Sequence, residues 1–560
     1  MAKFVEKKEV RKPTVINEMG EKAYRLEAKE ELLSTVLTTF LNEDSYYESG
    51  KEITERIVKC ANEVPIEFLC KLAIYTRTEG NIRSCSHLLA ALAAQRLSGT
   101  EFGSRFYEKM IVRPDDMPEI LGAYAWHKDM KQDDLKKIPN AMKKGFKNAL
   151  ESLDPYQIDK YKMNGHKIKL IDLVRLCHPK TTDKNAEAYK RLVKGEKLSD
   201  LYESKVLEKE MTKAGQDTVG LSEEEKLAAK REAFVSVLSN VKGMPIMNLL
   251  RNLKNILIYA PDMVDEACRQ LTIEEKVENS RLLPFRFASA YSEVEKCHLT
   301  FDGNSDTIQF ESDIKKEKEF EVKKQQILDA LEQSIEISCR NIPKLQGNVA
   351  VLCDCSGSVY GDSGGSSKVS AFSKTTRAAI GVLFGCMLAK SQDDVYFGLF
   401  GDKLLSAPIH RDKGLLAYNK EVFQLGDLCG KSTETGIYDF MREAVEQNKK
   451  IDNVVVFSDC QIGSERTKRY AWDDDFTPWY GVSEEDKGES FHKMFKKFKK
   501  NNPDCKWVVV DITQVKGNSV FDKSQGIVNI AGWSQKIFDY IATLSKGYDA
   551  MIKEIEAIEI

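Results

Sequence analysis

The sequence lacks the short motifs that mark a zinc enzyme, a disulfide scaffold or a redox centre. Its 13 cysteines are widely spaced and form no CxxC pair, and only Cys353 and Cys355 lie close together. The 7 histidines form no HxxxH or HExxH pair. Without such ligand spacing a zinc-dependent hydrolase is not expected, and the cysteines are expected to be reduced and buried.

An excess of either charge is also absent, because 84 Lys and Arg residues face 87 Asp and Glu residues and the net charge is −3. Net charge therefore identifies no partner, and a nucleic-acid-binding surface would have to be a local cluster. The first eight residues carry charge where a signal peptide needs an apolar run. No apolar run reaches the roughly 20 residues that cross a bilayer. These absences favour a cytoplasmic protein without a membrane partner.

A chain of 560 residues is too long for one core, so two or more domains are expected. Between Asn17 and Asn341 the apolar residues recur with helical spacing. Turn-like breaks are predicted at residues 62–65, 79–81 and 242–245. Successive helices joined by short turns are typical of stacked helical hairpins, so residues 1–345 are predicted to form an all-α helical-repeat domain.

Short apolar runs replace the helical pattern after Pro343. The runs begin at Asn348, Val395, Val454, Trp507 and Ile527. Helical segments separate most of them, among them one from Val369 to about Ala389. Strands that are apolar throughout and alternate with helices predict a parallel sheet covered on both faces. We therefore predict a doubly wound α/β domain over residues 346–545, followed by a C-terminal tail at residues 546–560.

Three polar segments are expected at the carboxyl edge of this sheet, where the ends of parallel strands converge. One strand ends in Asp354-Cys-Ser-Gly-Ser358, a loop contains Thr433, and a later strand ends in Ser458-Asp459. Carboxylate and hydroxyl oxygens suit a hard cation such as Mg²⁺. The predicted ligands of one divalent cation, best matched by Mg²⁺, are Asp354, Ser356, Ser358, Thr433 and Asp459. The hydroxyls would bind directly, whereas the two carboxylates would bind directly or through water.

These five residues resemble the metal-ion-dependent adhesion site of von Willebrand A domains, and the alternative is a purely structural polar loop. Because few carboxylates ligate the ion, it would keep positive charge and could accept a carboxylate or a phosphate from a partner. The resemblance implies binding rather than catalysis. Two insertions, at residues 361–367 and 466–490, flank the predicted site and could cover it.

Positive charge is concentrated between Lys128 and Lys180, where 13 Lys and Arg residues face 7 Asp and Glu residues, a local net charge of +6. Aromatic residues such as Tyr156 and Tyr161 interleave with this charge. Phosphate contacts from lysines combined with base stacking on aromatic rings hold single-stranded RNA, and a solvated basic surface is the alternative. The candidate RNA-binding residues are Lys136, Lys137, Lys143, Lys144, Lys147, Lys160, Lys162, His166, Lys167, Lys169, Arg175 and His178.

Several segments of the chain resemble, in order, the Ro ribonucleoprotein family. Residues 160–162 (KYK) and 172–178 (DLVRLCH) resemble a hallmark segment of its TROVE module. Residues 244–253 resemble its MPxxxLLRNL helix, and residues 283–287 resemble its HPF segment with leucine in place of histidine. Residues 530–538 match the last strand and helix of its von Willebrand domain. The family has a basic residue after KYK, where this chain has Met163.

The resemblance implies a toroid of HEAT-like helical repeats followed by a von Willebrand A domain. It further implies that 3′ ends of misfolded noncoding RNA enter the ring and that Y or Y-like RNA binds the outer surface, with Lys160 and His178 in contact with RNA. A protein ligand of the metal and an exoribonuclease are further candidate partners.

A scaffold rather than an enzyme is expected, because the paired carboxylates that hold two metals for phosphoryl transfer are missing. The alternative function is a metal-dependent protein-interaction module carried on a helical scaffold.

Overall fold

The structure, a computed structural model, gives positions for most of the chain. It describes residues 11–39, 41, 45, 47–130, 137–202, 228, 231–232, 235, 244–280, 282, 284–298, 311–338, 342, 344–361, 367–368, 375–463, 489–532, 536–543 and 547–560. Among the described residues, no helix is both long enough and apolar enough to span a membrane.

Helices dominate the described residues before position 345. They are α1 (Ala28–Thr38), α2 (Gly50–Glu63), α3 (Ile66–Thr78), α4 (Arg83–Ala93), α5 (Gly103–Met110), α6 (Asp116–His127), α7 (Asn140–Ser152), α8 (Pro155–Lys160), α9 (Leu170–Cys177), α10 (Ala186–Lys194), α11 (Ile246–Tyr259), α12 (Val264–Leu271), α13 (Glu274–Ser280), α14 (Pro284–Glu295) and α15 (Glu311–Ser338). The predicted breaks at 62–65 and 79–81 are confirmed, since α2, α3 and α4 begin and end there. Residues 242–243 of the third break lie outside the described residues.

The prediction of an all-α region is wrong for two short N-terminal strands, β1 (Val15–Ile16) and β2 (Lys22–Arg25). They pair antiparallel with each other, and β2 also pairs with β8 (Asn518–Ser519). Strands of two to four residues are too short to show the alternation of apolar and polar residues by which a strand is recognised. The partner strand β8 also lies almost 500 residues after β2 in the chain.

A six-stranded sheet forms where strands were predicted. Its members are β3 (Val349–Asp354), β4 (Val395–Phe400), β5 (Leu404–Ser406), β6 (Asn453–Ser458), β7 (Lys506–Asp511) and β9 (Ile527–Ala531). The order is β5-β4-β3-β6-β7-β9, with every pair parallel except β4 and β5. All five predicted strands are confirmed. The short antiparallel edge strand β5 escaped prediction because it spans only three residues.

Helices cover both faces of this sheet. The remaining helices are α16 (Gly357–Tyr360), α17 (Arg377–Ser391), α18 (Leu415–Gly426), α19 (Gly436–Glu446), α20 (Phe491–Asn501), α21 (Lys536–Thr543) and α22 (Gly547–Glu556). On one face α17 approaches so closely that a side chain at Gly385 would overlap the Cys353 thiol. On the other face Trp507 packs against Phe440 of α19 and Phe498 of α20. Residues 369–374, the predicted start of α17, lie outside the described residues.

The chain divides into two compact units. One contains Met1–Tyr202, Pro343–Ile409 and Glu421–Ile560, so the helices from α1 to α10 share a unit with the sheet. The other contains Glu203–Ile342 and His410–Lys420. The domain boundary at residue 345 stays a prediction. The segment predicted as a tail, residues 546–560, contains α22, whose Met551 and Ile555 are buried.

In the second unit, a carboxylate from a distant helix caps the start of α18. Glu332 of α15 accepts hydrogen bonds from the backbone N–H groups of Leu416 and Ala417, at 2.9–3.0 Å. A carboxylate at a helix N-terminus satisfies donors that the helix itself leaves unpaired. This contact ties residues 410–420 to the helices of their unit.

Within the first unit, α3, α4 and α6 converge on the buried carboxylate of Asp116. It accepts hydrogen bonds from the Arg77 guanidinium (2.9 Å), from Arg83 (3.1 Å) and from the backbone N–H of Arg113 (2.8 Å), and His87 Nε2 lies 2.8 Å away. Although burial opposes ionisation, the His87 and Arg77 partners hold the pKa of Asp116 well below its ordinary value. The network fixes the position of the loop between α5 and α6, which holds Arg113 at the protein surface.

Replacing Asp116 by asparagine should lower the free energy of unfolding by about 3–5 kcal/mol, because the Arg77 guanidinium would remain buried without a carboxylate. Urea denaturation at neutral pH measures this loss. Asp115→Asn is the matched control, since the guanidinium partners of Asp115 are more exposed and the pair should contribute about 1 kcal/mol or less. Equal destabilisation by the two variants would contradict the assignment.

Candidate functional site

The first part of the candidate metal centre is built where β3 and β6 end side by side. Cys353 pairs with Phe457 in the parallel register, so Asp354 lies beside Ser458. The Ser458 hydroxyl donates to Asp354 Oδ2 at 2.6 Å, and the Ser356 backbone N–H donates to Oδ1 at 2.9 Å. These bonds hold the Asp354 carboxylate at the carboxyl edge of the sheet.

The hydroxyls of the next residues lie against this carboxylate. Ser356 Oγ and Ser358 Oγ are 3.1 Å apart, and the Ser358 side chain hydrogen-bonds to Asp459. The structure thus brings four of the five predicted metal ligands together by direct contacts.

Thr433, the fifth predicted ligand, lies in a loop docked against the first. The Gly357 N–H donates to the Lys431 carbonyl at 2.9 Å, and a Cβ at Gly357 would lie only 2.6 Å from that oxygen, so the two loops approach closely because residue 357 is glycine. The Thr433 hydroxyl itself donates to Asp402 Oδ1 at 2.8 Å.

Three carboxyl groups are buried together at this edge. Burial and the neighbouring Asp459 raise the pKa of Asp354, and burial likewise raises the pKa of Asp459. Burial, followed by the charges of Asp354 and Asp459, raises the pKa of Glu434 well above its ordinary value. Each shift reflects the cost of removing a negative charge from water and of placing it beside another.

This chemistry fits a hard divalent cation. Within the described part of the chain, Glu434 Oε2 is buried without a hydrogen-bond partner. Arg377 is the positive side chain whose charge acts on Asp459. Hydroxyl and carboxylate oxygens are the donors that Mg²⁺ prefers, and a dication among them would neutralise the excess negative charge.

Three acidic residues of this centre were missed by sequence reasoning. Asp402 follows β4 and receives the Thr433 hydroxyl, Glu434 follows Thr433 directly, and Asp511 ends β7. Burial and Asp459 raise the pKa of Asp511 to about 8, against the effect of the Thr513 N–H. For Asp402 and Asp511, the available signal was an acidic residue at or just beyond the end of four parallel strands, β3, β4, β6 and β7, because those ends share one edge.

One of the two insertions reaches the centre. Ser367 is buried and its hydroxyl donates to the Gly357 carbonyl at 3.0 Å, so the end of the 361–367 insertion packs against the loop at residues 354–358. Residues 362–366 lie outside the described residues. So do residues 464–488, which contain most of the second insertion.

The predicted RNA-binding residues occupy neighbouring elements of the first unit. Helix α7 buries Met142, Phe146 and Leu150 and so turns Lys143, Lys144 and Lys147 towards its opposite side. Lys136 lies outside the described residues. The exposed candidates are Lys137, Lys144, Lys160, His166, Lys167, Lys169, Arg175 and His178, and the half-buried ones are Lys143, Lys147 and Lys162. We call these eleven described residues the basic surface.

Helices α7 and α9 bring two parts of the basic surface together. The charge of Lys143 acts on Cys177, the residue before His178, and Glu151 at the end of α7 accepts the Lys180 backbone N–H at 2.8 Å. Acids offset part of the charge, since Lys162 pairs with Asp159 at 2.6 Å and Lys147 lies 4.0 Å from Glu151.

His178 ends α9 in a left-handed conformation, with φ of +48°. Its N–H donates to the Val174 carbonyl at 3.0 Å, while its side chain is exposed. Left-handed backbone is strained for most residues other than glycine and is tolerated better by histidine than by most. The exposed imidazole follows the exposed Arg175 side chain by three residues, so both lie at the C-terminal end of α9.

A tyrosine ring with two cations close to it lies beside Lys160 of the basic surface. The Lys160 ammonium is 5.8 Å from the Tyr161 ring centre and 3.0 Å from the Tyr156 hydroxyl, and the Arg113 guanidinium is 5.6 Å from the same Tyr161 ring. Sequence reasoning missed Arg113 because it lies almost 50 residues before Tyr161, and only the Asp116 network places it there. An aromatic ring close to two cations suits a base and its phosphates.

Two comparisons with known proteins gave matches. A family model described as the TROVE domain matches residues 27–238 and 224–337, together more than half of the chain. The fold is similar to the crystal structure of the Deinococcus radiodurans Ro (RSR) protein, with 14% identity and a TM-score of 0.53, covering 92% of this chain and 100% of that chain. At this identity the likeness concerns the fold alone. No curated protein matches the chain.

The buried acids Asp354, Asp459, Glu434 and Asp511 should make the free energy of unfolding depend on pH. Their pKa values are raised on folding, so the folded state binds protons more tightly than the unfolded chain does. In chelating buffer, the free energy of unfolding should therefore fall as pH rises from 3.8 towards about 8. Asp116 does not counteract this slope, because its lowered pKa affects stability below that range.

Denaturant titrations across this pH range measure the slope, which Asp354→Asn should make shallower. Asp427→Asn is the control, because the Asp427 carboxylate is largely exposed and pairs with Lys431 at the surface. A free energy of unfolding that rises with pH over this range in the wild type would refute the electrostatic account.

Proposed function

Because the chain belongs to the TROVE-domain family of Ro ribonucleoproteins and is therefore an RNA-binding protein, we propose that it holds structured noncoding RNA on the basic surface. The observation that carries this proposal is the Tyr161 ring with the Lys160 ammonium and the Arg113 guanidinium 5.8 and 5.6 Å from its centre. Tyr161 and Lys160 belong to the segment 128–180 of net charge +6. Lysine and arginine would neutralise phosphates, and the tyrosine ring would stack on an unpaired base.

The finer proposal concerns which part of the RNA is bound where. Single-stranded 3′ ends of misfolded noncoding RNA would enter a ring formed by the helical repeats, and Y or Y-like RNA would bind the basic surface outside it. Both assignments follow from the family resemblance. The exposed side chains of Lys160, Arg175 and His178 support the second, because they lie on the surface where an RNA backbone could reach them.

A second proposed property is one bound divalent cation, with Mg²⁺ as the best match, at a von Willebrand A-type adhesion site. The ligands would be Asp354, Ser356, Ser358, Thr433 and Asp459, with Glu434 close enough to be influenced by their charges. The cation would supply Lewis-acid attraction for an anionic group of a partner. No catalytic step is proposed, and the protein acts as a scaffold.

A metal-dependent contact with another protein is the alternative function. The observation that favours it is Leu428, which is 61% exposed and precedes the Thr433 loop by a few residues. Beside that loop, the Lys431 ammonium lies 4.5 Å from the Tyr360 ring centre. An exposed apolar residue next to a charged centre is typical of a protein-binding surface.

Replacing Lys160 and His178 together by alanine should weaken RNA binding and make its salt dependence shallower. Each lost phosphate contact makes the negative slope of log affinity against log salt shallower by about 0.7 for single strands. Binding of a hairpin RNA with a single-stranded 3′ tail, measured over a range of salt concentrations, gives both quantities. The melting temperature should not change, because both side chains are exposed.

Lys190→Ala is the matched control for this experiment, since Lys190 is exposed on α10 and pairs with Glu187. It should leave both affinity and slope unchanged. A wild-type slope near zero would refute RNA binding through phosphates. If the double variant melts at a much lower temperature, the segment from Lys160 to His178 has a structural role instead.

Asp354→Asn should abolish Mg²⁺ binding and leave RNA affinity unchanged, because the substitution removes a carboxylate from the centre and none from the basic surface. Calorimetric titration with Mg²⁺ and an RNA gel shift on the same preparations measure the two effects. Asp427→Asn is again the control and should still bind Mg²⁺. Loss of RNA binding together with the metal would show that the two sites are coupled and would contradict independent roles.

A further inference from the structure

Helix α20 carries positive charge that neither the basic surface nor the candidate metal centre uses. Five of its eleven residues are lysines, and no acidic residue lies between Phe491 and Asn502. Four of them, Lys493, Lys496, Lys497 and Lys500, are exposed. Residues spaced by three, four and seven positions share one side of a helix, so these four form a strip about 10 Å long. We call it the lysine strip.

The buried side of α20 fixes where the strip points. Phe495 and Phe498 pack edge-on against Trp507 of the sheet, with ring centres 5.1 and 5.4 Å away, and Phe491 packs against Phe521. At the start of the helix, His492 Nε2 lies 2.9 Å from the Lys22 carbonyl. The helix cannot rotate without exposing these aromatic rings, so the lysines must face outward.

Most of the charge of the strip is not neutralised within the described part of the chain. Lys497 pairs with Glu489 at 2.6 Å, whereas no ion pair there involves Lys493, Lys496 or Lys500. Two further ammonium groups lie at the C-terminal end of α20, where Lys499 donates to the Cys505 carbonyl and Lys450 donates to the Asn501 carbonyl.

Stabilisation of the helix alone does not account for the strip. Cations are favourable within the last turn of a helix, where the carbonyl groups are unpaired. That explains Lys499 and Lys500, but Lys493 lies in the first turn, where a positive charge is unfavourable. Four exposed lysines on one side also repel one another. Such an arrangement is favourable when an anionic partner covers it.

We propose that the lysine strip is a second RNA-binding surface, which contacts the phosphates of a base-paired region of the RNA held by the basic surface. This inference rests on the proposed RNA-binding function. Lysines contact phosphates as point charges without reading bases, and double-stranded RNA is bound mostly through its backbone and shape.

The composition of α20 favours this partner over others. A single strand held through its bases would need exposed aromatic rings, and the phenylalanines of α20 are all buried. The same burial argues against a membrane surface, because a helix that binds a bilayer inserts its apolar side into it. An acidic protein is the remaining alternative, and the experiment separates it from RNA.

The test replaces all four lysines of the strip by glutamine and compares two RNA probes. One is a hairpin with a stem of about 16 base pairs and a single-stranded 3′ tail, and the other is the tail alone. Affinity for the tailed hairpin should fall on the order of a hundred-fold at low salt, with a slope of log affinity against log salt shallower by about 3. Affinity for the tail alone should stay unchanged.

A matched control replaces four lysines that each form an ion pair in the structure, namely Lys51, Lys323, Lys344 and Lys420. It makes the same change in net charge and should leave binding of both probes unchanged. A third variant with arginine at the four strip positions keeps the charge and should restore the affinity for the tailed hairpin, which guards against a folding defect.

The outcomes separate this surface from the proposed function. If the wild type binds the tailed hairpin and the glutamine variant binds it equally well, the strip is not an RNA-binding surface and this inference is overturned. Equal losses in the strip and control variants would also overturn the inference, since net charge alone would then explain them. A wild type that binds neither probe would overturn both this surface and the proposed function.

Discussion

The position of the N-terminal helices against the sheet depends on the hydrogen bonds of one buried side chain, the guanidinium of Arg56. From α2 it donates to Glu48 at 2.8 Å, to the Thr35 hydroxyl of α1 at 2.6 Å and to the Gln514 carbonyl beyond β7 at 3.3 Å. Glu48 in turn accepts the Lys516 N–H at 2.9 Å. The planar fork of arginine can satisfy several acceptors at once, whereas its loss would leave the Glu48 carboxylate buried without a cationic partner.

The influence of Arg56 extends to the edge of the sheet where the candidate metal centre lies. Burial raises the pKa of Asp511 and Asp459 raises it further, while Arg56 is one of the groups that oppose this rise. Asp459 contacts Ser358 and acts electrostatically on Asp354. The N-terminal helices α1 and α2 and the sheet edge that gathers the acids are therefore linked through a short series of charged groups within one compact unit.

The sequence was sufficient for features that repeat locally, and insufficient for those that depend on distant pairs. Five strands and the helix breaks near Pro65 and Gly80 could be predicted because burial imposes a regular apolar spacing. The placement of Asp354, Ser356, Ser358 and Asp459 followed from parallel strand ends sharing an edge. The position of Arg113 beside Tyr161 and the strand pairing of β2 with β8 could not be predicted, since each depends on a contact with a residue far away in sequence.

A net charge of −3 conceals a strong separation of charge in space. Acids such as Asp354, Asp459 and Glu434 are buried at one edge of the sheet, where low polarity makes their repulsion costly and a cation favourable. Lysines such as Lys144, Lys160 and Lys496 are exposed, where water screens their repulsion and phosphates can reach them. Burial therefore decides which charges favour a small ion and which favour a polyanion. A candidate cation site and a candidate RNA-binding surface can therefore occur in one unit, because charges repel strongly in the protein interior and only weakly in water.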